Sequence, residues 1–218
     1  SEALVSLVSS TVTNYNADYL KVFNSVFRHS QFTGLVDATD NAILSTITTV
    51  ALSSLHTPDT AGPFSFTVNF ANPIYNPHSG HNKTDGGIIA STGFYVNGET
   101  SEMFFDDDGD GNIRVYHLVA GVRTYWLSSA GTVDYAKGLV SVNPIYITST
   151  SNVDNSASTA IRMTSIPDSF DIVGVRNQIL EIDSLNTTVT GGQDTIAVSG
   201  SANTGYITNT TFIEPSSY

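Results

Sequence analysis

The sequence contains no cysteine, and this absence excludes both a disulfide framework and a metal site built from thiolates. Cations are also scarce, because 8 Lys and Arg accompany 20 Asp and Glu and give a formal net charge of −12. With so few positive side chains, neither a phosphate backbone nor an anionic membrane is an expected partner. No apolar run approaches the roughly 20 residues that a membrane-spanning helix needs. We therefore expect no nucleic acid and no membrane among the partners.

The 218 residues suffice for one large domain or two small ones with a hydrophobic core. Apolar residues at helical spacing predict a helix from Glu2 to about Tyr15. Asn16 is placed to cap a second helix that continues to Phe27, and Ser30 to cap a further turn. The sequence thus begins with a helical segment.

From Ile43 onward the pattern is typical of β-strands, with faultless alternation from Phe64 to Phe70. Three turns divide Glu102–Ser149 into short apolar runs, which predict a β-meander. The predicted fold class is α+β, mostly antiparallel β with N-terminal helices, in two small lobes. The predicted divisions are a helical segment at 1–44, a β-meander domain at 45–150 and a C-terminal β-rich lobe at 151–218. The predicted core residues are Phe23, Phe27, Phe64, Phe66, Val68, Phe105, Val115 and Trp126.

The turn that contains Asp106, Asp108 and Asp110 carries the strongest metal signal. Its alternate carboxylates followed by Gly111 match the first half of a calcium loop. The second half does not match, because the twelfth position is His117 instead of a bidentate glutamate. A solvated β-turn is therefore the favoured interpretation, with calcium binding as the alternative.

A second candidate lies in the aperiodic segment 72–87, where His78, His81 and Asp85 form a two-His-one-carboxylate set on paper. Such a site needs ligands that are held rigidly, and a loop rich in Gly and Asn is not expected to hold them so. A structural role for these histidines is therefore favoured. The sequence has no G-x-S-x-G elbow, phosphate loop or dinucleotide fingerprint. We therefore predict no enzyme, no catalytic residues, no cofactor and no small-molecule substrate.

The run Asn16–Leu44 carries an L-x-x-F-N-x-x-F-R-x-S pattern followed by a V-D-x-x-D-x-x-I pattern. It resembles the large baseplate wedge subunit of contractile-tailed bacteriophages, specifically its C-terminal part, and baseplate J-like relatives. Further stretches resemble the same family: Asn76–His81, Ser91–Phe94, Asp106–Arg114, Gly131–Gly138 and Val173–Gln178.

The resemblance implies a structural virion protein of the tail baseplate, assembled in the bacterial host cytoplasm. It also implies that the chain associates with itself, as a homodimer or ring, and with other wedge proteins, and that it links wedges into the baseplate ring. The residues that we expect at such interfaces are Tyr19, Phe23, Phe27, Tyr75, His78 and His81.

Two other functions stay open on the residues alone. A secreted or surface calcium-dependent β-sandwich binding module would account for the acidity and for Asp106, Asp108 and Asp110. A metal-dependent hydrolase would require His78 and His81 to bind a metal.

Overall fold

A computed structural model describes residues 2–174 and 179–192 of the chain. The predicted first helix is confirmed as α1, Glu2–Tyr15, and a π-helical turn at Asn16–Leu20 follows it directly. The next helix, α2, covers His29–Asp37. Among the described residues, no helix has the length and apolar character needed to cross a membrane.

The predicted second helix is wrong beyond Leu20. The chain bends at Asn24, whose φ is 60°, and then forms strand β1 at Val26–Phe27. Asn16 does not cap a helix, because its side-chain oxygen accepts a hydrogen bond from the N–H of Ile182 at 2.9 Å. The bend turns Phe23 outward, so this predicted core residue is 71% exposed.

The N-terminal helices enclose a small core centred on Tyr15. The Phe27 and Phe32 rings meet the Tyr15 ring edge-on, at centroid distances of 5.7 and 5.2 Å. Strand β1 pairs in antiparallel orientation with β12 at Ile172–Val173, which brings a distant part of the chain to this core. The two-stranded sheet therefore holds the N-terminal lobe together across the sequence.

The remaining strands form one large sheet, and every strand pairing in the described residues is antiparallel. The strands are β2 Leu52–His56, β3 Phe64–Asn69, β4 Ala90–Ser91, β5 Phe94–Val96, β6 Met103–Asp107, β7 Asn112–Val119, β8 Val122–Asp134, β9 Leu139–Ile145, β10 Ile147–Thr150 and β11 Ile161–Ser165. Along the main path of the sheet the order is β2-β11-β4-β6-β7-β8-β9-β3, with β5 pairing both β6 and β10. The predicted class, mostly antiparallel β with N-terminal helices, is thus confirmed.

The large sheet nearly closes on itself, because the strands at the two ends of the path come into contact. His56 of β2 stacks on Phe66 of β3 with the centroids 4.1 Å apart and an interplanar angle of 8°. Burial lowers the pKa of His56, which favours the neutral ring in this apolar contact. Leu52, at the start of β2, packs against both the sheet core and the N-terminal core.

Most of the predicted sheet core is confirmed, with Phe66, Val68, Phe105 and Val115 fully enclosed. Phe64 and Trp126 are only partly buried and pack against the edge of this core. Trp126 donates its indole N–H to Glu99 at 3.2 Å, so its polar edge points outward.

The sheet crosses one of the predicted domain divisions. Strand β11, which the sequence pattern places in a separate lobe at 151–218, lies between β2 and β4 of the large sheet. The division at 150/151 therefore does not separate two sheets. Residues 193–218 of the predicted β-rich lobe lie outside the described residues, as do residues 175–178.

Candidate functional site

The acidic turn between β6 and β7 is largely internal to the protein. The side chains of Asp106, Asp107 and Asp108 are all buried, in contrast to the solvated turn favoured from the sequence. Burying a carboxylate is costly unless hydrogen bonds or opposite charges compensate it. Each of these carboxylates has such partners, and the partners differ from one residue to the next.

Asp106 forms a buried ion pair with Arg114 of β7. Its Oδ1 accepts a hydrogen bond from the Arg114 Nε at 2.8 Å, and its Oδ2 accepts one from the Tyr125 hydroxyl at 3.0 Å. The Arg114 guanidinium also lies over the Tyr125 ring, 4.2 Å from its centroid. Burial raises the pKa of Asp106, and Arg114 and Tyr125 offset that rise only in part.

Asp107 has the largest number of hydrogen bonds in the turn. Its Oδ1 accepts from the backbone N–H groups of Ile88 and Ile89, both at 2.7 Å. Its Oδ2 accepts from the Tyr135 hydroxyl at 2.6 Å and from the N–H of Gly109 at 3.2 Å. Asp107 therefore joins the turn, the segment before β4 and the β8–β9 hairpin. Asp107 is absent from the residues that the sequence suggests, because it falls between the alternating positions of the calcium pattern.

Asp108 accepts hydrogen bonds from within the turn, whereas Asp110 accepts them from the segment 72–87. Burial would raise the pKa of Asp108, but hydrogen bonds from Asn112 and from the N–H of Asp110 outweigh it and hold that pKa below its usual value. Asp110 accepts from the Lys83 Nζ at 2.8 Å and from the Ser79 hydroxyl, and these two donors lower its pKa.

These contacts direct the carboxylates of Asp106, Asp108 and Asp110 toward protein donors. In residues 2–174 and 179–192, no group of three or more His, Asp or Glu side chains is arranged to hold a metal ion. In this geometry the turn connects neighbouring segments of the chain through hydrogen bonds and a buried ion pair. Calcium binding by these three residues stays a prediction.

The segment 72–87 is fastened onto this turn along its length. The N–H of Gly80 donates to the carbonyl of Gly109 at 3.1 Å. Arg114 donates through its Nη2 to the carbonyl of Lys83 at 3.2 Å, and Arg123 donates to the carbonyl of Asp85. Gly109 has a φ of 71°, and a Cβ there would lie 2.5 Å from the His81 nitrogen, so only glycine permits this approach. The loop is thus held rigidly although it has no regular secondary structure.

His78 and His81 come together on this loop, and Asp85 does not complete a set with them. The His78 Nε2 lies 3.3 Å from the His81 Nδ1, and the two rings are nearly perpendicular. Tyr75 packs edge-on against the His81 ring with the centroids 5.4 Å apart. Three of the expected interface residues are therefore neighbours on one surface.

The other expected interface residues lie in the N-terminal lobe. Tyr19 and Phe23 are 42% and 71% exposed, and Val22 between them is 50% exposed. We call Tyr19, Val22 and Phe23 the N-terminal patch. Phe27 differs, because it is buried in the core around Tyr15, where a partner would not reach it.

Residues 1–54 match the family described as baseplate structural protein gp6, C-terminal domain III. This match confirms the resemblance to a baseplate subunit that the Asn16–Leu44 pattern indicated, and the pattern lies inside the matched segment. The segment contains 54 of the 218 residues. No protein of the curated set matches the chain. The resemblance of the five stretches outside the gp6-like segment stays a prediction.

The structure explains several residues of the Asn16–Leu44 pattern, which lies in the gp6-like segment, residues 1–54. Asn24 has a φ of 60°, a conformation that asparagine adopts more readily than most residues. Arg28 precedes α2 and lies 3.4 Å from Asp171, whose other carboxylate oxygen accepts from the N–H of His29 at 2.9 Å. Asp37 accepts a hydrogen bond from the Thr46 hydroxyl. The pattern thus specifies the bend and the connections of the N-terminal lobe.

A second exposed apolar surface lies outside the gp6-like segment, at the tip of the β7–β8 hairpin. Leu118, Val119 and Val122 are all exposed there, and Val119 is the cross-strand partner of Val122. The alternation of apolar and polar residues in the sequence predicts the two strands of this hairpin. It does not predict that β7 pairs with β6 only as far as His117, so that the residues after His117 have no partner on β6. The tip therefore projects beyond its neighbouring strand.

Proposed function

We propose that this chain is a structural component of a phage tail baseplate, and that it associates with itself and with other wedge proteins to link wedges into a ring. The match of residues 1–54 to a baseplate structural protein domain is the observation that carries this proposal. The proposed location is the virion, in the baseplate of a contractile tail. Assembly is proposed to take place in the host cytoplasm. The proposed role requires no catalysis and no small-molecule substrate.

The N-terminal patch supports an interface within the matched segment. Its three apolar side chains lie within five residues of one another and are at least 42% exposed. The π-helical turn and the bend at Asn24 leave Val22 and Phe23 exposed, and Tyr19 is exposed on one side while its ring stacks on Tyr15 with the centroids 4.9 Å apart. Large apolar side chains that remain in water are a feature of protein–protein interfaces. We therefore assign self-association to this patch.

The buried charges of the acidic turn fit a structural role. A catalytic carboxylate must reach a substrate, but Asp106 and Asp107 are enclosed and bonded to protein donors. What these groups provide is a rigid connection between the acidic turn, the neighbouring strands and the segment before β4. Rigidity of this kind favours recognition of a partner, because little conformational entropy is lost on binding.

Sedimentation equilibrium over a wide concentration range tests self-association of the whole chain. We expect wild type to form dimers or larger species, and Phe23→Ser to weaken that association at least tenfold. Leu55→Ser is the matched control, because Leu55 is also exposed but lies on β2, away from the N-terminal patch. A wild-type chain that stays monomeric, or equal weakening by both substitutions, would contradict the proposal.

A further inference from the structure

The structure assigns a divalent transition-metal site to His78 and His81, with zinc as the ion best suited to it. The assignment is independent of the proposed baseplate function. It differs from the three-residue set considered in the sequence, because Asp85 takes no part, and from the structural histidines that the sequence favoured. Two imidazole nitrogens from one chain supply half of a tetrahedral site, and water or a side chain from another molecule takes the other positions.

The distance between the two ring nitrogens has the value that such an ion requires. Nitrogens that lie about 2.0–2.1 Å from a tetrahedral zinc are separated by about 3.3–3.4 Å. The His78 Nε2 and the His81 Nδ1 are 3.3 Å apart. The ligand pair therefore needs little rearrangement to bind.

The tautomer of His78 is fixed by its other nitrogen. The His78 Nδ1 lies 3.0 Å from the carbonyl oxygen of Ser79, and a carbonyl can only accept, so this nitrogen carries the proton. In the neutral ring, Nε2 then holds a lone pair that faces His81. An imidazole that binds a metal through one nitrogen and donates to a backbone carbonyl through the other has the arrangement typical of protein zinc ligands.

His81 needs only a change of tautomer. Without metal, its Nδ1–H donates to the lone pair of the His78 Nε2 across the 3.3 Å gap. When an ion enters, the proton moves from Nδ1 to Nε2 of His81 through solvent, so the ring stays neutral. Each ring then offers a lone pair to the ion, and no net proton is released.

The loop supplies the rigidity that a two-ligand site requires. The N–H of His81 donates to the carbonyl of His78 at 3.2 Å, and Gly80 between them is bonded to Gly109 of the acidic turn. Ser79 donates its hydroxyl to Asp110, which holds the residue that accepts from His78. The backbone on both sides of the pair is thus tied to the sheet.

Calorimetric titration of the whole chain with zinc chloride tests the site. We expect one zinc per chain, and a rise in Tm of about 3 to 6 °C when free zinc is ten times Kd. His78→Gln and His81→Gln should each weaken zinc binding at least tenfold while leaving the metal-free Tm unchanged. Magnesium should give no shift, because it prefers oxygen ligands.

His29→Gln is the matched control, because His29 is a partly buried histidine that contacts Thr48 and Phe170, away from the loop. It should bind zinc like wild type. Nitrogen NMR of the imidazole rings adds a second readout, in which metal-free His78 should show the Nδ1–H form. Absence of zinc binding by wild type, or unchanged binding by both loop variants, would overturn the assignment.

Discussion

The Tyr135 hydroxyl donates to the Oδ2 of Asp107 at 2.6 Å, and this bond joins the end of β8 to the acidic turn. Asp107 is completely buried, so its carboxylate depends on protein donors alone for solvation. Tyr135→Phe removes one donor and leaves the carboxylate under-satisfied. We expect a loss of about 1.5–3 kcal/mol in the free energy of unfolding, measured by urea denaturation.

Tyr146→Phe is the control for this measurement, because Tyr146 is a half-buried tyrosine outside the acidic turn and the N-terminal patch. Its effect should stay within about 0.5 kcal/mol, as for most surface substitutions. Equal effects of the two substitutions would show that the Asp107–Tyr135 bond contributes no special stability.

Stability should fall in alkali because of Tyr125. Burial, followed by the charge and the hydrogen bond of Asp106, raises the pKa of Tyr125 from 10.0 to about 12. A raised pKa means that the contribution is complete below pH 10.0 and is lost as the pH rises through about 12. Burial raises the pKa of Tyr15 and of Tyr135 as well, so absorbance titration of the tyrosinate ions should show several late-titrating groups, of which Tyr125→Phe removes the one near pH 12. A wild-type titration confined to ordinary tyrosine values would contradict this.

Gly138→Ala should be strongly destabilising. Gly138 has a φ of 65°, and a Cβ at this position would collide with the carbonyl oxygen of Asn72. We expect a loss of about 1–3 kcal/mol in the free energy of unfolding, from backbone strain and the collision together. Thermal or urea unfolding measures it.

Gly34→Ala gives the opposite expectation and serves as the comparison. Gly34 lies within α2, and nothing lies within 4 Å of a Cβ built on it. Alanine there should stabilise the protein by about 0.5–1 kcal/mol through its higher helix propensity. If Gly34→Ala lowered the free energy of unfolding as much as Gly138→Ala does, the positive φ and the collision at Gly138 would not explain the loss.

Calcium should leave the thermal stability unchanged. Asp106 and Asp108 are bonded to protein donors, and Asp110 is paired with Lys83, so an ion would have to displace all of these partners. We expect the Tm in millimolar calcium to equal the Tm in chelator within about 1 °C. A rise of several degrees that Asp108→Asn abolishes would instead establish the calcium site.

The parts of the fold that follow local rules could be predicted from the sequence. The alternation of Phe64 to Phe70 gave the strand and its buried face, and Gly138 has the positive φ that its hairpin requires. The helix at Glu2–Tyr15 also follows directly from its periodicity. In each case the pattern concerns neighbours in the chain, so no tertiary information is needed.

The failures concern contacts between distant residues. The apolar face from Tyr19 to Phe27 fits a helix, but Asn16 bonds to Ile182 and β1 pairs with β12, and these contacts override the local preference. The acidic turn looked solvated because its composition suits an exposed turn. Its buried partners, Arg114, Tyr125 and Tyr135, lie on strands whose pairing a single sequence does not reveal.

Leu52 belongs to both hydrophobic cores, and the strand that it begins is hydrogen-bonded to β11 along its whole length. A movement of the N-terminal helices relative to the sheet would therefore pull Leu52 away from one of the two cores. Because the two cores share this side chain, a displacement of one would cost apolar contacts in the other.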